Sequence, residues 1–296
     1  MKELVVISGK GGTGKTSITA AFASLAQNAV LADCDVDAAD LHLVLSPTIK
    51  QEADFSGGKQ ASIITEKCIG CGKCANMCRF GAIKLNGLAN EIIGKTYKVD
   101  SVSCEGCKVC VEFCPVDAIS FEPAVNGKWF ISDTRFGPMV HARLGIAEEN
   151  SGKLVTLIRK EAKRIAEERN KNLLIIDGSP GIGCPVIASI TGSDLVLVVT
   201  EPTLSGIHDL ERVSQLTSNF GIKTLVCVNK SDINPDMTER IEKYAKEKGL
   251  KVVGKIPYDE SFTKAQIIKA TLIEYTGSDI SEKVKSMFRE ITYALG

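Results

Sequence analysis

The chain has 296 residues, with 36 Lys and Arg against 36 Asp and Glu, so its formal net charge is zero. That balance gives no bulk positive field for nucleic acid, and the length allows one large domain or two modest ones with separate cores. No stretch approaches the about 18 uninterrupted apolar residues of a membrane span. Met1 to Ile7 runs straight into a glycine loop with no room for a signal peptide, so a cytoplasmic protein is expected.

The apolar run Leu4 to Ile7 is followed by Gly9-Lys10-Gly11-Gly12-Thr13-Gly14-Lys15-Thr16-Ser17, then by a helical pattern with Ile18, Phe22, Leu25 and Ala26 on one face. Strand, glycine loop and helix in that order form a phosphate cradle. Backbone N–H groups of Gly11, Gly12, Thr13 and Gly14 can converge on an anion at the positive end of a helix. Lys15 is placed to reach the β- and γ-phosphates and the Thr16 hydroxyl to sit on Mg²⁺, with Ser17 a further nucleotide-binding candidate. A second buried strand, Ala29 to Ala32, ends in Asp33-Cys34-Asp35-Val36-Asp37, with carboxylates at the edge where parallel sheets bind ligands.

From about Ser46 to Asn150 the pattern changes to short β-like runs separated by glycine-rich turns. Strands are expected around Trp129 to Ile131 and Met139 to Leu144. Eight of the 11 cysteines lie here, as Cys68-x-x-Cys71-x-x-Cys74-x-x-x-Cys78 and Cys104-x-x-Cys107-x-x-Cys110-x-x-x-Cys114-Pro115. In a reducing compartment this spacing favours metal over disulfides, and two four-thiolate zinc sites would use the same count. The local repeat Phe80-Gly81-Ala82-Ile83, echoed by Val116-Asp117-Ala118-Ile119, marks a doubled unit. The doubled run resembles bacterial two-cluster ferredoxins. That resemblance implies two [4Fe–4S] clusters, with the fourth cysteine of each run serving the other cluster. Cys68, Cys71, Cys74 and Cys114 would hold the first, and Cys104, Cys107, Cys110 and Cys78 the second. Arg79 stands after Cys78 where Pro115 follows Cys114.

A helix is expected over Lys153 to Arg169. The strand Leu173 to Ile176 ends in Asp177, a candidate Mg²⁺ carboxylate, followed by Gly178-Ser179-Pro180-Gly181-Ile182-Gly183. Further strands, Leu195 to Val199, Thr224 to Val228 and Lys251 to Ile256, alternate with helices. The last helix, Ile280 to Leu295, presents Val284, Met287, Phe288 and Ile291 on one face and is expected to pack on the core rather than on a membrane.

With Lys10 ahead of Lys15, the loop resembles the deviant P-loop of the MinD/Mrp family, which includes the nitrogenase iron protein and partitioning ATPases. The resemblance implies a nucleotide-dependent homodimer in which Lys10 crosses to the partner's nucleotide. It also implies that Asp35 orients the attacking water, that Asp33 and Asp177 support Mg²⁺, and that Asn229 of Asn229-Lys230-Ser231-Asp232 contacts the base together with Pro257. Adenine is implied, although the same tetrapeptide suits guanine. Cys184 stands where the iron protein has a cluster ligand, but without a second candidate it is read as a packed thiol.

The expectation is an α/β fold. A doubly wound, mostly parallel P-loop NTPase sheet would occupy residues 1–45 and 151–296, with a small α+β ferredoxin-like domain inserted at 46–150 around a cluster core at 60–122. The expected function is an ATP-hydrolysing protein, using ATP/ADP, Mg²⁺ and two [4Fe–4S] clusters, that couples nucleotide state to electron transfer with a partner protein. The alternatives are a cluster-carrier ATPase and a MinD or partitioning-type regulatory ATPase.

Overall fold

A computed structural model describes residues 1–145 and 151–296. The chain opens with β1 (Lys2–Ser8), α1 (Lys15–Leu25), β2 (Ala29–Asp33), the short α2 (Leu41–Leu45) and β3 (Thr48–Phe55). The cysteine-rich stretch holds β4 (Gly58–Ile63), α3 (Lys73–Met77), β5 (Ile83–Lys84), β6 (Lys98–Val99), α4 (Val109–Glu112) and β7 (Ile119–Ala124). Then β8 (Gly127–Thr134) and β9 (Gly137–Leu144) precede α5 (Ser151–Glu168). Strand and helix alternate through β10 (Leu173–Pro180), α6 (Cys184–Ile190), β11 (Leu195–Thr200), α7 (Leu204–Asn219), β12 (Lys223–Asn229), α8 (Pro235–Glu247) and β13 (Lys251–Ile256). Three helices finish the chain: α9 (Ser261–Ile267), α10 (Leu272–Tyr275) and α11 (Asp279–Leu295).

Nine strands form one sheet in the order β13-β12-β11-β1-β10-β2-β9-β8-β3. Every pairing from β13 across to β9 is parallel. The central strands are buried along nearly their whole length, which is why they read as unbroken Val, Ile and Leu runs without alternation. Register sets the chemistry: Ile176 lies beside Ala32 and Asp177 beside Asp33. Two strands that end in phase therefore deliver two carboxylates to one edge. The apolar face of α11 packs as expected, with Val284, Met287 and Ile291 in the core and Phe288 against Phe22 at 5.1 Å between ring centroids.

The chain divides into two compact units: Met1–Ala53, Trp129–Arg143 and Ser151–Gly296 form one, and Asp54–Lys128 with Leu144 and Gly145 the other. The strands around Trp129 and Met139, expected to flank the insert, extend the large sheet instead. Met139, Val140 and Ala142 are buried, and β9 lies parallel beside β2. The expected boundary at residue 150 lies outside the described residues. In the second unit, antiparallel β4 and β7 pair Ile63 with Ile119, and β5 pairs antiparallel with β6. The tetrapeptide repeat is structural: Ala82 and Ile83 are buried like Ala118 and Ile119, and Gly81 and Asp117 both have positive φ.

Candidate functional site

The loop between β1 and α1 must turn tightly enough to point its amides inward. Gly14, the N-cap of α1, has φ 88°, and any Cβ there would run into the Asn229 side chain. Asn229 Nδ2 donates to the Thr13 carbonyl at 2.8 Å. The residue expected to read the base thus also braces the loop from the end of β12. Pro257, its expected partner, follows β13 and is half-buried. Ser17 sits in the first turn of α1 and its Oγ accepts from Gln266 Nε2 at 2.8 Å.

Asp177 gathers the loop's functional side chains. Its Oδ1 accepts from Lys15 Nζ at 2.9 Å and from Thr19 Oγ1 at 3.0 Å, and its Oδ2 accepts from Thr16 Oγ1 at 2.7 Å. Lys15 Nζ is also 3.2 Å from Asp35 Oδ2. Asp33 stands one shell back, accepting from the backbone N–H groups of Asp35 and Leu41, both at 3.2 Å. It therefore shapes the turn that carries Asp35 and the start of α2. Lys15, Thr16, Asp35 and Asp177 thus come together, Thr19 joins them, and Asp33 lies behind them.

The electrostatics are those of one buried cation among three carboxylates. Burial by itself would lower the Lys15 pKa, but Asp177 and Asp35 outweigh it and the net shift is upward. Burial pushes Asp33 and Asp35 up; Asp177 adds to both shifts, and Lys15 opposes both. Such a set is short of positive charge. The Thr13 hydroxyl, in the same loop, is buried without a hydrogen-bond partner among the described residues. A divalent cation beside Thr16 and Asp177, and an anion against the loop, fit these residues.

Lys10 lies apart from this group. Its Nζ is 2.6 Å from Glu201 Oε1 and 3.0 Å from Ser205 Oγ in the first turn of α7. Glu201 Oε2 also accepts from Lys230 Nζ at 3.1 Å, and Lys230 donates to the Gly12 carbonyl at 3.0 Å. Burial would raise the Glu201 pKa, but its bonds to Lys10 and Lys230 overcome that and hold it below the usual carboxylate range. Sequence reasoning missed Glu201 and Thr19. The signal for Glu201 was there: a charged residue directly after the apolar run Leu195 to Val199 and Thr200, at the ligand-binding edge of the sheet.

In the second unit the cysteines form two sets. One hollow is lined by Cys68, Cys71, Cys74 and Cys114, the other by Cys104, Cys107, Cys110 and Cys78. Each set takes three thiols from one run and the last from the other. Among the described residues no group of three or more His, Cys, Asp or Glu side chains is arranged around a single metal-ion position. The remaining cysteines differ. Cys34 and Cys227 are fully buried, and burial pushes the Cys227 thiol to about 12. Cys184, expected to be packed, is exposed at the start of α6.

Residues 4–272 match the CobQ/CobB/MinD/ParA nucleotide binding domain. The chain belongs to that family. It is 32% identical over 296 residues to the Methanocaldococcus jannaschii protein MJ0578, covering 98% of this chain and 96% of that one. It is 26% identical to the ATP-binding protein MJ0823 of the same organism, over 89% of this chain and 88% of the relative. Among solved structures, the fold is similar to the cell division ATPase MinD of Pyrococcus furiosus, with TM-score 0.57, 15% identity, and coverage of 99% and 98% of the two chains. It is also similar to the septum site-determining protein MinD of Pyrococcus horikoshii complexed with Mg-ADP, with TM-score 0.58, 15% identity, and coverage of 100% and 97%. At these identities the solved structures show a shared α/β P-loop fold with a mostly parallel sheet. No helix among the described residues is long and apolar enough to cross a membrane.

Proposed function

We propose that this protein is an ATP-binding and hydrolysing switch of the MinD/ParA type, cytoplasmic and acting as a nucleotide-dependent homodimer on a partner protein. The observation that carries this is the convergence of Lys15, Thr16, Asp35 and Asp177 on one position at the head of α1. With nucleotide present, Thr16 and Asp177 would hold Mg²⁺, which supplies charge neutralisation between the phosphates. Lys15 would leave its carboxylates for the phosphates, and Asp35 would orient the attacking water. Lys10 would leave Glu201 for the partner's nucleotide. The family match and the MinD-like fold favour this regulatory reading over electron transfer as the primary activity. Hydrolysis assays test it. Lys15→Ala should lose nucleotide binding, and Lys10→Ala should keep binding but lose hydrolysis and dimerisation; wild-type turnover by Lys10→Ala would overturn the partner-lysine role.

A second reading concerns the cysteine-rich unit, and the two four-thiol hollows favour it. The donor sets, each completed by the other run's last cysteine, suit a pair of [4Fe–4S] clusters, and a hollow between thiols suits a polynuclear cluster better than one zinc ion. The clusters would supply one-electron chemistry, and the nucleotide switch would gate access of an electron donor or acceptor. Anaerobically purified protein should then carry about eight iron and eight sulfide per chain. Stoichiometric zinc without acid-labile sulfide would remove this reading and leave the ATPase switch standing.

A further inference from the structure

The two thiol sites are built on the same repeat, yet residues 85–97 lie over one and not over the other; the second run instead meets β4, where a Cβ on Gly106 would strike the Lys59 carbonyl. Residues 85–97 fold back on themselves, with Gly87 N–H donating to Thr96 O at 2.8 Å and Thr96 N–H to Leu88 O at 3.1 Å. Asn90 pins this strap. Its Oδ1 accepts from the N–H groups of Ile92 at 3.0 Å and Ile93 at 2.8 Å. Its Nδ2 donates to the carbonyls of Thr65 at 2.6 Å and Cys68 at 2.8 Å. A side-chain amide making four bonds is at its full capacity. The strap is thereby fastened to the turn that carries the first ligand of the first site.

Beyond Asn90, the strap lies on the glycines of the first run. A Cβ on Gly70 would collide with Ile93, and one on Gly72 would stand 2.9 Å from Tyr97 Oη. Tyr97 also lines the first hollow. The second run shows the contrast. Gly72 and Lys108 hold the same place in their runs, each a left-handed N-cap with φ 76° and 67°. A side chain is admitted at 108, where Lys108 reaches out to Glu112 at 2.6 Å and no tyrosine takes the place that Tyr97 holds over Gly72. Glu105 occupies the position of Ile69, and no residue of 85–97 lines the second hollow among the described residues. The difference falls on the first ligand: Cys68 is buried and its counterpart Cys104 is half-buried, while Cys71 and Cys107 are both exposed and Cys74 and Cys110 both buried.

We propose that this Asn90-pinned strap makes the two thiol sites unequal: the Cys68 site is sheltered and retained, and the Cys104 site is the open one that meets reagents and partners. The proposal rests on the cluster reading above and adds an order to it. Asn90 and Tyr97 are positioning residues, acting through the backbone of the first run without serving as ligands.

The test is partial iron removal from anaerobic holoprotein with a ferrous chelator, followed by pulse alkylation and peptide mapping of each cysteine. In the wild type, Cys104, Cys107, Cys110 and Cys78 should be labelled about ten-fold faster than Cys68, Cys71, Cys74 and Cys114, the scale on which outer-shell contacts affect metal retention. Asn90→Ala should bring the two rates together. Gly72→Lys, which copies the second run, should do the same by displacing Tyr97, and it serves if Asn90→Ala does not fold. Lys108→Gly should leave the ratio unchanged. Equal labelling in the wild type, or an unaltered ratio in either strap variant, would overturn the inference. Anaerobic protein without iron or sulfide would instead overturn the cluster reading beneath it.

Discussion

Lys10 and Glu201 are joined within one chain: Lys10 Nζ lies 2.6 Å from Glu201 Oε1, beside Lys230 on the other oxygen. A lysine that serves a partner's nucleotide must first leave this pair. A half-exposed ion pair is worth up to about 1 kcal/mol and a dimer breaks two, so Glu201→Gln should lower the protein concentration needed for ATP-driven dimerisation by up to about thirty-fold. Sedimentation with a non-hydrolysable ATP analogue measures this, and an unchanged or raised midpoint would mean that Glu201 does not restrain Lys10.

Lys15 is the cation in direct contact with Asp35 and Asp177. Lys15→Met should leave those carboxylates and Asp33 facing one another in a buried site, at a cost of about 3–5 kcal/mol near neutral pH. The loss should shrink in acid, where protonation of the carboxylates removes the repulsion, and it should shrink with millimolar Mg²⁺. Urea melts at several pH values with and without Mg²⁺ give the answer. A variant as stable as the wild type at neutral pH, without Mg²⁺, would contradict the charge balance described for the site.

A histidine pair joins α2 to β9. His141 stacks on Phe130 at 5.0 Å and lies parallel to His42 of α2 at 6.2 Å between ring centroids, with its Nε2 2.9 Å from Ser132 Oγ. Burial first, then His42 and Arg143, lower its pKa from 6.5 to about 4. The unfolded chain therefore takes up a proton that the folded chain refuses. The stability from a neutral His141 is complete above about pH 6.5 and falls as pH drops towards 4, by at most about 3 kcal/mol. His141→Phe should flatten the melting temperature against pH in that window relative to wild type. Identical slopes would place the acid sensitivity elsewhere.

The thiol sets make a prediction of their own. Because Cys114 lines the hollow of Cys68, Cys71 and Cys74, Cys114→Ser should deplete that site and spare the second. Cys78→Ser should do the reverse. Iron content with low-temperature electron paramagnetic resonance distinguishes them, and loss confined to each cysteine's own run would contradict the crossed arrangement.

The parallel core was legible because strands buried on both faces leave unbroken apolar runs: Leu195 to Val199 and Thr224 to Val228 were placed within a residue or two. The phosphate loop and the carboxylates at Asp33, Asp35 and Asp177 were legible because strand ends at one sheet edge must converge. The membership of β8 and β9 was not, since strands set among glycine turns carry no mark of which sheet they join. Asn229 was read by its motif as a base contact, and its bracing bond to Thr13 O is a contact that motif does not announce. The Asn90 strap was invisible because it depends on contacts between a loop and two glycines that no periodicity announces.

The central claim, that two chains complete each other's nucleotide sites through Lys10, is tested most directly by mixing two inactive variants. Lys15→Ala keeps Lys10 but should not bind nucleotide, while Lys10→Ala binds nucleotide but lacks the crossing lysine. In a mixed dimer, the nucleotide bound to the Lys10→Ala subunit would receive Lys10 from the Lys15→Ala subunit. ATP hydrolysis by the mixture should rise well above the sum of the two variants alone and should depend on the mixing ratio, peaking near equal amounts. Activity that stays at the sum at every ratio would contradict a lysine shared between chains.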